Sequence, residues 1–227
     1  MHKHVCLCVG IFILFSCNPQ EPMVWTESQT GMRFIKVNFL QDDKVLWVSE
    51  TEVTQKQWMI IMGSEELHPE KPSPFLGKNE ELPKVSISYL DVQAFIGKLK
   101  SISKLDFRLP TAQEFRYLCE TGKTQTIIAH YKGSSKENVE GPIAVASLEP
   151  DIHGLYDIQG NVYEWTSTAY FETHARQTRD SLYSTNAKTL KGGSWAFGYS
   201  HLECSHEIPH NPEHWGYSIG FRLVFQE

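Results

Sequence analysis

The sequence predicts a single loop-rich domain of mixed α and β class, an α+β chain with little regular secondary structure, on three observations. Alternating apolar and polar residues near the start point to strands. Three short stretches of helical periodicity follow, each opened by a capping signature. Beyond about residue 122 the periodicity fades into a Gly- and Trp-rich chain. At 227 residues the chain can bury one sizeable core, and 41% hydrophobic with 21% charged content argues against extended disorder.

The first residues stand apart. Lys3 precedes an apolar run, Val5 to Phe15, that is too short to span a bilayer, so it reads as an export signal. Its end, Leu14-Phe15-Ser16-Cys17, is similar to a bacterial lipobox, in which cleavage precedes the Cys and its thiol carries the lipid; the alternative is an ordinary signal or an uncleaved anchor. The expected organisation is therefore 1–16 signal peptide, 17–30 lipidated Cys17 and tether, and 31–227 folded domain. Palmitate or another acyl chain on Cys17 would hold the domain at a membrane surface of the bacterial envelope, the outer membrane or cell surface.

Arg33 to Phe39 and Val45 to Val48 read as two strands around Gln41-Asp-Asp43. Thr54 and Gln57 form a capping box ahead of Trp58, Ile61 and Met62, and Gly63 closes that helix. Ser88 caps a second helix with Val92, Phe95, Ile96 and Leu99 on its apolar face. Thr111 and Glu114 open a third, with Phe115, Leu118 and Cys119 facing inward. Residues 64 to 84 read as loop, and Ile143 to Ala146 as a short strand.

Charge and cysteine content narrow the function. Against 27 acids stand 21 bases, and removing Lys3 with the signal leaves 20, a balance of −7 that repels nucleic acid. Cys6 and Cys8 leave with the signal and Cys17 is consumed, so Cys119 and Cys204 are left either to pair outside the cytoplasm or to stay as two buried thiols. In the stretch His153 to Trp165, Asn161 and Glu164 carry the hard oxygens that Ca²⁺ takes; the bland alternative is a turn cap and a solvated acid. His206, His210 and His214 are spaced by four, but Pro209 and Pro212 forbid a helical metal face; a loop-borne site with Glu203 or Glu213 stays open. Ser194 reads as a turn residue rather than a nucleophile.

Thr51-Glu-Val-Thr54, Val85-Ser-Ile-Ser-Tyr89, Phe107-Arg-Leu-Pro-Thr111, Gly154 to Trp165, Gly192-Gly-Ser-Trp195 and Gly220-Phe-Arg222 together resemble the formylglycine-generating enzyme, or sulfatase-modifying factor, family, over about residues 45 to 225. The resemblance implies a variant of the C-type-lectin fold, commonly with bound Ca²⁺, and places the family's calcium loop on Asn161, Val162 and Glu164. It also implies that the oxidase members' copper-binding cysteine pair falls on Phe197 and Leu202. Two-coordinate thiolate copper is hard to build from Cys204 alone, which argues against an enzyme.

Between Trp195 and Ile219 rigid aromatics alternate with small and hydrogen-bonding residues, a composition suited to ligand contact. Trp195, Phe197, Tyr199, His201, Glu203, His206, Trp215 and Tyr217 are the candidate ligand-binding residues; the alternative is that these rings simply pack an irregular domain. Some family relatives are surface lipoproteins diversified by retroelements in this segment. The expected function is thus a lipid-anchored, non-catalytic binding module for a protein, peptide or glycan. A metal-dependent oxidase of the formylglycine-generating type and a structural lipoprotein of a gliding or secretion complex are the alternatives.

Overall fold

The computed structural model describes residues 22–39, 44–63, 73–134, 140–170 and 186–226; the signal segment and Cys17 lie outside the described residues. Within them the chain runs β1 (Val24–Thr26), β2 (Arg33–Phe39), β3 (Lys44–Ser49), α1 (Gln55–Met62), α2 (Tyr89–Ser103), α3 (Ala112–Thr121), β4 (Tyr163–Ala169), β5 (Lys188–Lys191), a 3₁₀ turn at Tyr199–Leu202, β6 (Ile208–His210), β7 (Ile219–Gly220) and β8 (Val224–Phe225). The strands form two four-stranded sheets in the orders β1-β2-β3-β8 and β6-β5-β4-β7.

The first sheet is covered on both faces, and the alternation in its sequence sorts side chains between two cores. Phe34, Trp47, Leu223 and Phe225 point to one core, with Trp58 of α1 and Val92, Phe95, Ile96 and Leu99 of α2. Ile35, Val37, Leu46, Val48 and Val224 point to the other, with Phe115, Leu118 and Cys119 of α3. A period of two puts successive residues on opposite faces, so both classes of position are apolar here.

All three predicted helices form behind capping boxes: Thr54 with Gln57, Ser88 with Asp91, and Thr111 with Glu114. Gly63 closes α1 in the left-handed conformation. Phe39 pairs with Lys44 and Phe34 with Ser49, the register of the expected antiparallel pair.

Two expectations change. Part of the segment read as tether belongs to the folded unit: Val24 to Thr26 pair with Ile35 to Arg33, and the Trp25 ring lies 5.2 Å from Phe225. An aromatic side chain in the tether already carries enough apolar surface to dock. Ile143 to Ala146 is not a strand; Ala146 takes a φ of 56°, and the Ile143 amide is taken by the Asn161 side chain rather than by a neighbouring strand.

Cys119 and Cys204 form a disulfide across 85 residues of sequence. It ties α3 to the segment following the 3₁₀ turn. Replacing both cysteines by Ser is expected to lower the unfolding free energy by about 2–5 kcal/mol in urea titration, since the bridge restricts a long loop in the unfolded chain. An unchanged midpoint under oxidising conditions would count against the bridge.

Candidate functional site

The site is built around β4. The tight loop before it needs Gly160, with a φ of 93°, because a Cβ there would lie 2.5 Å from the His130 carbonyl oxygen. Asn161 follows; its Oδ1 accepts from the Ile143 amide at 3.0 Å and its Nδ2 donates to the Ile143 carbonyl at 3.3 Å. On β4 itself, Glu164 has no exposed surface, and Arg222, just past β7, has none either. The Arg222 Nε donates to Oε1 and Oε2 of Glu164 at 2.9 and 2.8 Å, and its Nη2 to Oε1 at 2.7 Å. Two further bonds reach the carbonyls of Ser49 at 3.3 Å and Tyr156 at 2.9 Å. Burial alone would raise the Glu164 carboxyl, and the Arg222 charge and hydrogen bonds oppose that.

As placed, Asn161 and Glu164 do not fit a calcium ion. Both oxygens of Glu164 and the amide oxygen of Asn161 are committed to protein donors, and a cation beside Glu164 would have to displace the guanidinium. Among the described residues no group of three His, Cys, Asp or Glu could hold a metal ion. Instead, the acids gather around Arg222. Glu52 is fully buried, and the side chain that its carboxyl meets is the acid Asp157 rather than a base. Burial first, and then the neighbouring charges of Asp157 and Glu164, push its carboxyl well above the ordinary carboxylate range. Asp151 and Asp157 are raised as well, chiefly by burial.

Segment 195–218 hangs from both flanks of β4. On one side β5 pairs antiparallel with it, Glu164 opposite Lys191. On the other, β7 runs parallel, Tyr163 opposite Ile219 and Glu164 opposite Gly220. At the entry Gly193, φ 78°, allows close approach, since a Cβ would lie 2.7 Å from the His201 carbonyl oxygen. The buried Lys191 ammonium reaches into the segment and donates to the carbonyls of Cys204 and His206, each at 2.8 Å. Gln159 donates to the Leu202 carbonyl at 2.6 Å.

Within this frame the predicted residues divide. Phe197, Tyr199 and Tyr217 are 38%, 53% and 37% exposed, large values for aromatic side chains. Glu203 is exposed too, while Trp195, His201, His206 and Trp215 are half-buried. Tyr163 and Trp165, two residues apart on β4, carry the rings: Phe197 lies 5.5 Å from Tyr163, whose hydroxyl is 2.6 Å from Nδ1 of His201. The His201 and His206 rings are 4.5 Å apart, and His210 lies 5.3 Å from Trp165. Burial, with His201 and Lys191 nearby, lowers His206, and burial and His214 push His210 down to about 4; both shifts favour the neutral imidazole. Trp215 packs on Tyr217 at 5.4 Å, away from Tyr199, which meets Tyr131 at 5.7 Å. Ser194 is fully buried and Leu202 lies in the core.

The motif reading passed over Glu52, Tyr163 and Gln159 as individual residues. Glu52 stands between Thr51 and Val53, shortly past the end of β3, and an acid flanked by β-branched residues in such a place was the available signal.

Residues 39–227 match the model of the sulfatase-modifying factor enzyme 1-like domain. The chain belongs to this family. It is 25% identical to the formylglycine-generating enzyme of Mus musculus, over 86% of the chain and 58% of that protein, and 22% identical to the chaperone protein LppX of Paenibacillus barcinonensis, over 78% of the chain and 79% of that protein. The chain spans somewhat over half the length of the mouse and bovine enzymes it matches, 58% and 57%. Among solved structures it superposes on Treponema denticola variable protein 1, at 22% identity with TM-score 0.68 over 91% of this chain and 100% of that one, and on PvdO from Pseudomonas aeruginosa, at 17% identity with TM-score 0.71 over 92% and 100%. At such identities these superpositions speak for the fold, and the expected α+β architecture is the one observed. Phe197 and Leu202, onto which the resemblance puts the oxidases' cysteine pair, are an exposed phenyl ring and a core aliphatic, and the Cys204 thiol is joined to Cys119.

Two outcomes follow from the buried charges. Arg222→Met is expected to cost about 3–5 kcal/mol in denaturant unfolding, because Glu164 is left charged and unpaired, and Glu164→Gln added to it should restore part of that loss. Glu52→Gln tests the pH dependence. A carboxyl raised in the fold contributes stability that is fully present below its unfolded value near 4.5 and is lost as pH rises through the folded value. Thermal melting of the natural chain should therefore fall between mildly acid and alkaline pH, and the Gln variant should flatten that slope; an unchanged slope refutes the assignment.

Proposed function

We propose that this chain is a surface-anchored lipoprotein acting as a non-catalytic binding module, whose contact surface is the segment 195–218. The observation that carries the reading is the outward presentation of Phe197, Tyr199 and Tyr217 on a segment held at both ends by β4. Three large rings left to solvent cost the fold hydrophobic stabilisation, and rings fixed on a rigid frame lose little entropy on contact. The loss of thiols at the family's cysteine positions supports binding over oxidation. The protein, peptide or glycan partner would lie across Phe197, Tyr199, His201 and Glu203 at one end and Trp215 and Tyr217 at the other.

The likeness in fold to a structure described as a variable protein supports a further element of the reading: that this segment is diversified by a retroelement. Sequencing the locus for a neighbouring near-identical repeat with Asn codons at these positions tests it, and absence of a repeat ends that element alone.

Membrane anchoring through Cys17 is tested by fractionation: Cys17→Ser is expected to move the protein from the membrane pellet to the soluble fraction. Binding is tested on peptide and glycan arrays. Tyr199→Ala and Tyr217→Ala should each weaken binding by about 1–2 kcal/mol, roughly five- to thirty-fold, without lowering the melting temperature. Array signals indifferent to both changes would sink the proposed surface.

A further inference from the structure

Resting on that reading, we infer that the partner surface recognised by segment 195–218 is cationic: a peptide segment in which Lys or Arg side chains alternate with apolar ones. Charge and ring placement carry this. From Gly192 to Phe221 the chain runs 30 residues without a Lys or Arg, while Glu203, Glu207 and Glu213 lie within it. Glu207 is already answered by the Lys191 ammonium at 3.6 Å, with Arg116 in the vicinity. Glu203 and Glu213 are exposed and have no ion-pair partner among the described residues.

Each of these two acids lies four residues from an exposed tyrosine, Glu203 from Tyr199 and Glu213 from Tyr217. A segment that exposes both tyrosine rings and carboxylates suits an ammonium or guanidinium: a cation can rest over a ring while its methylenes cover apolar surface, and a carboxylate adds a charge-assisted bond. Burial favours the neutral form of His206 and His210, which lessens their opposition to a cation. From neighbouring elements, exposed Lys132 borders the Tyr199 end, its amide donating to the Phe197 carbonyl, and half-buried Lys188 lies opposite His210.

Panning a random-peptide phage library against the full chain, with the Tyr199→Ala/Tyr217→Ala double variant as the counter-screen, tests the inference. Peptides that need the tyrosines should be enriched in Lys or Arg, lose affinity as salt is added, and bind about tenfold or more weakly to the Glu203→Lys/Glu213→Lys variant. Selected peptides that need the tyrosines but are neutral or acidic overturn the cationic inference and leave the binding surface standing. So do basic peptides that bind the charge-reversed variant equally well. No tyrosine-dependent peptide at all overturns both.

Discussion

Glu164 and Arg222 form an ion pair with no exposed surface, and the strands meet around it. Such a pair contributes little net stability, because each charge gives up its hydration, but it forbids alternatives: removing either partner strands the other in a medium that cannot solvate it. Arg222 also binds the carbonyls of Ser49 and Tyr156, so one guanidinium joins the end of β3, the loop before β4, and β4 itself. The register of β5 and β7 against β4 follows from the same place, since Glu164 is opposite both Lys191 and Gly220. A segment leaving from one side of Glu164 and returning on the other can vary between those points without moving them.

This arrangement explains how a domain with short strands tolerates an open segment. The two apolar cores lie on either side of the first sheet, and the exposed rings of segment 195–218 belong to neither, although Tyr163 and Trp165 of the first core back that segment. The tethers into the segment are mostly backbone carbonyls held by outside groups, Lys191 to residues 204 and 206 and Gln159 to 202, together with the disulfide at Cys204. Contacts to carbonyls fix the path of the chain without engaging side chains, while Leu202 and Cys204 are held by the core and the disulfide. Exposed positions between them can change while that path persists, the property expected of a binding loop on a rigid scaffold.

The helices were legible because their signals are local: two capping boxes, a serine cap and a periodic apolar face each need only residues within four of one another. The candidate surface was legible in outline, since Phe197, Tyr199 and Tyr217 are exposed, but their half-buried companions were not separable from them in sequence. His206 and His210 illustrate the reason. Both look like polar surface residues, yet contact with Tyr163 and Trp165, more than forty positions away, buries them. Asn161 and Glu164 offered calcium-like oxygens that distant partners, Ile143 and Arg222, engage instead.

By itself the sequence determined where the helices begin and which strand positions are apolar, because each depends on residue type at short spacing. The tertiary structure decided which polar groups are spent on one another: that Glu52 is a buried acid, that Cys119 bonds Cys204 across 85 residues, and that the oxygens of the glycine-rich loop hold an arginine. Pairing between groups distant in sequence depends on how the sheets stack, and no local pattern encodes it. The loop from Gly154 to Trp165 is accordingly a brace for the segment that hangs from β4.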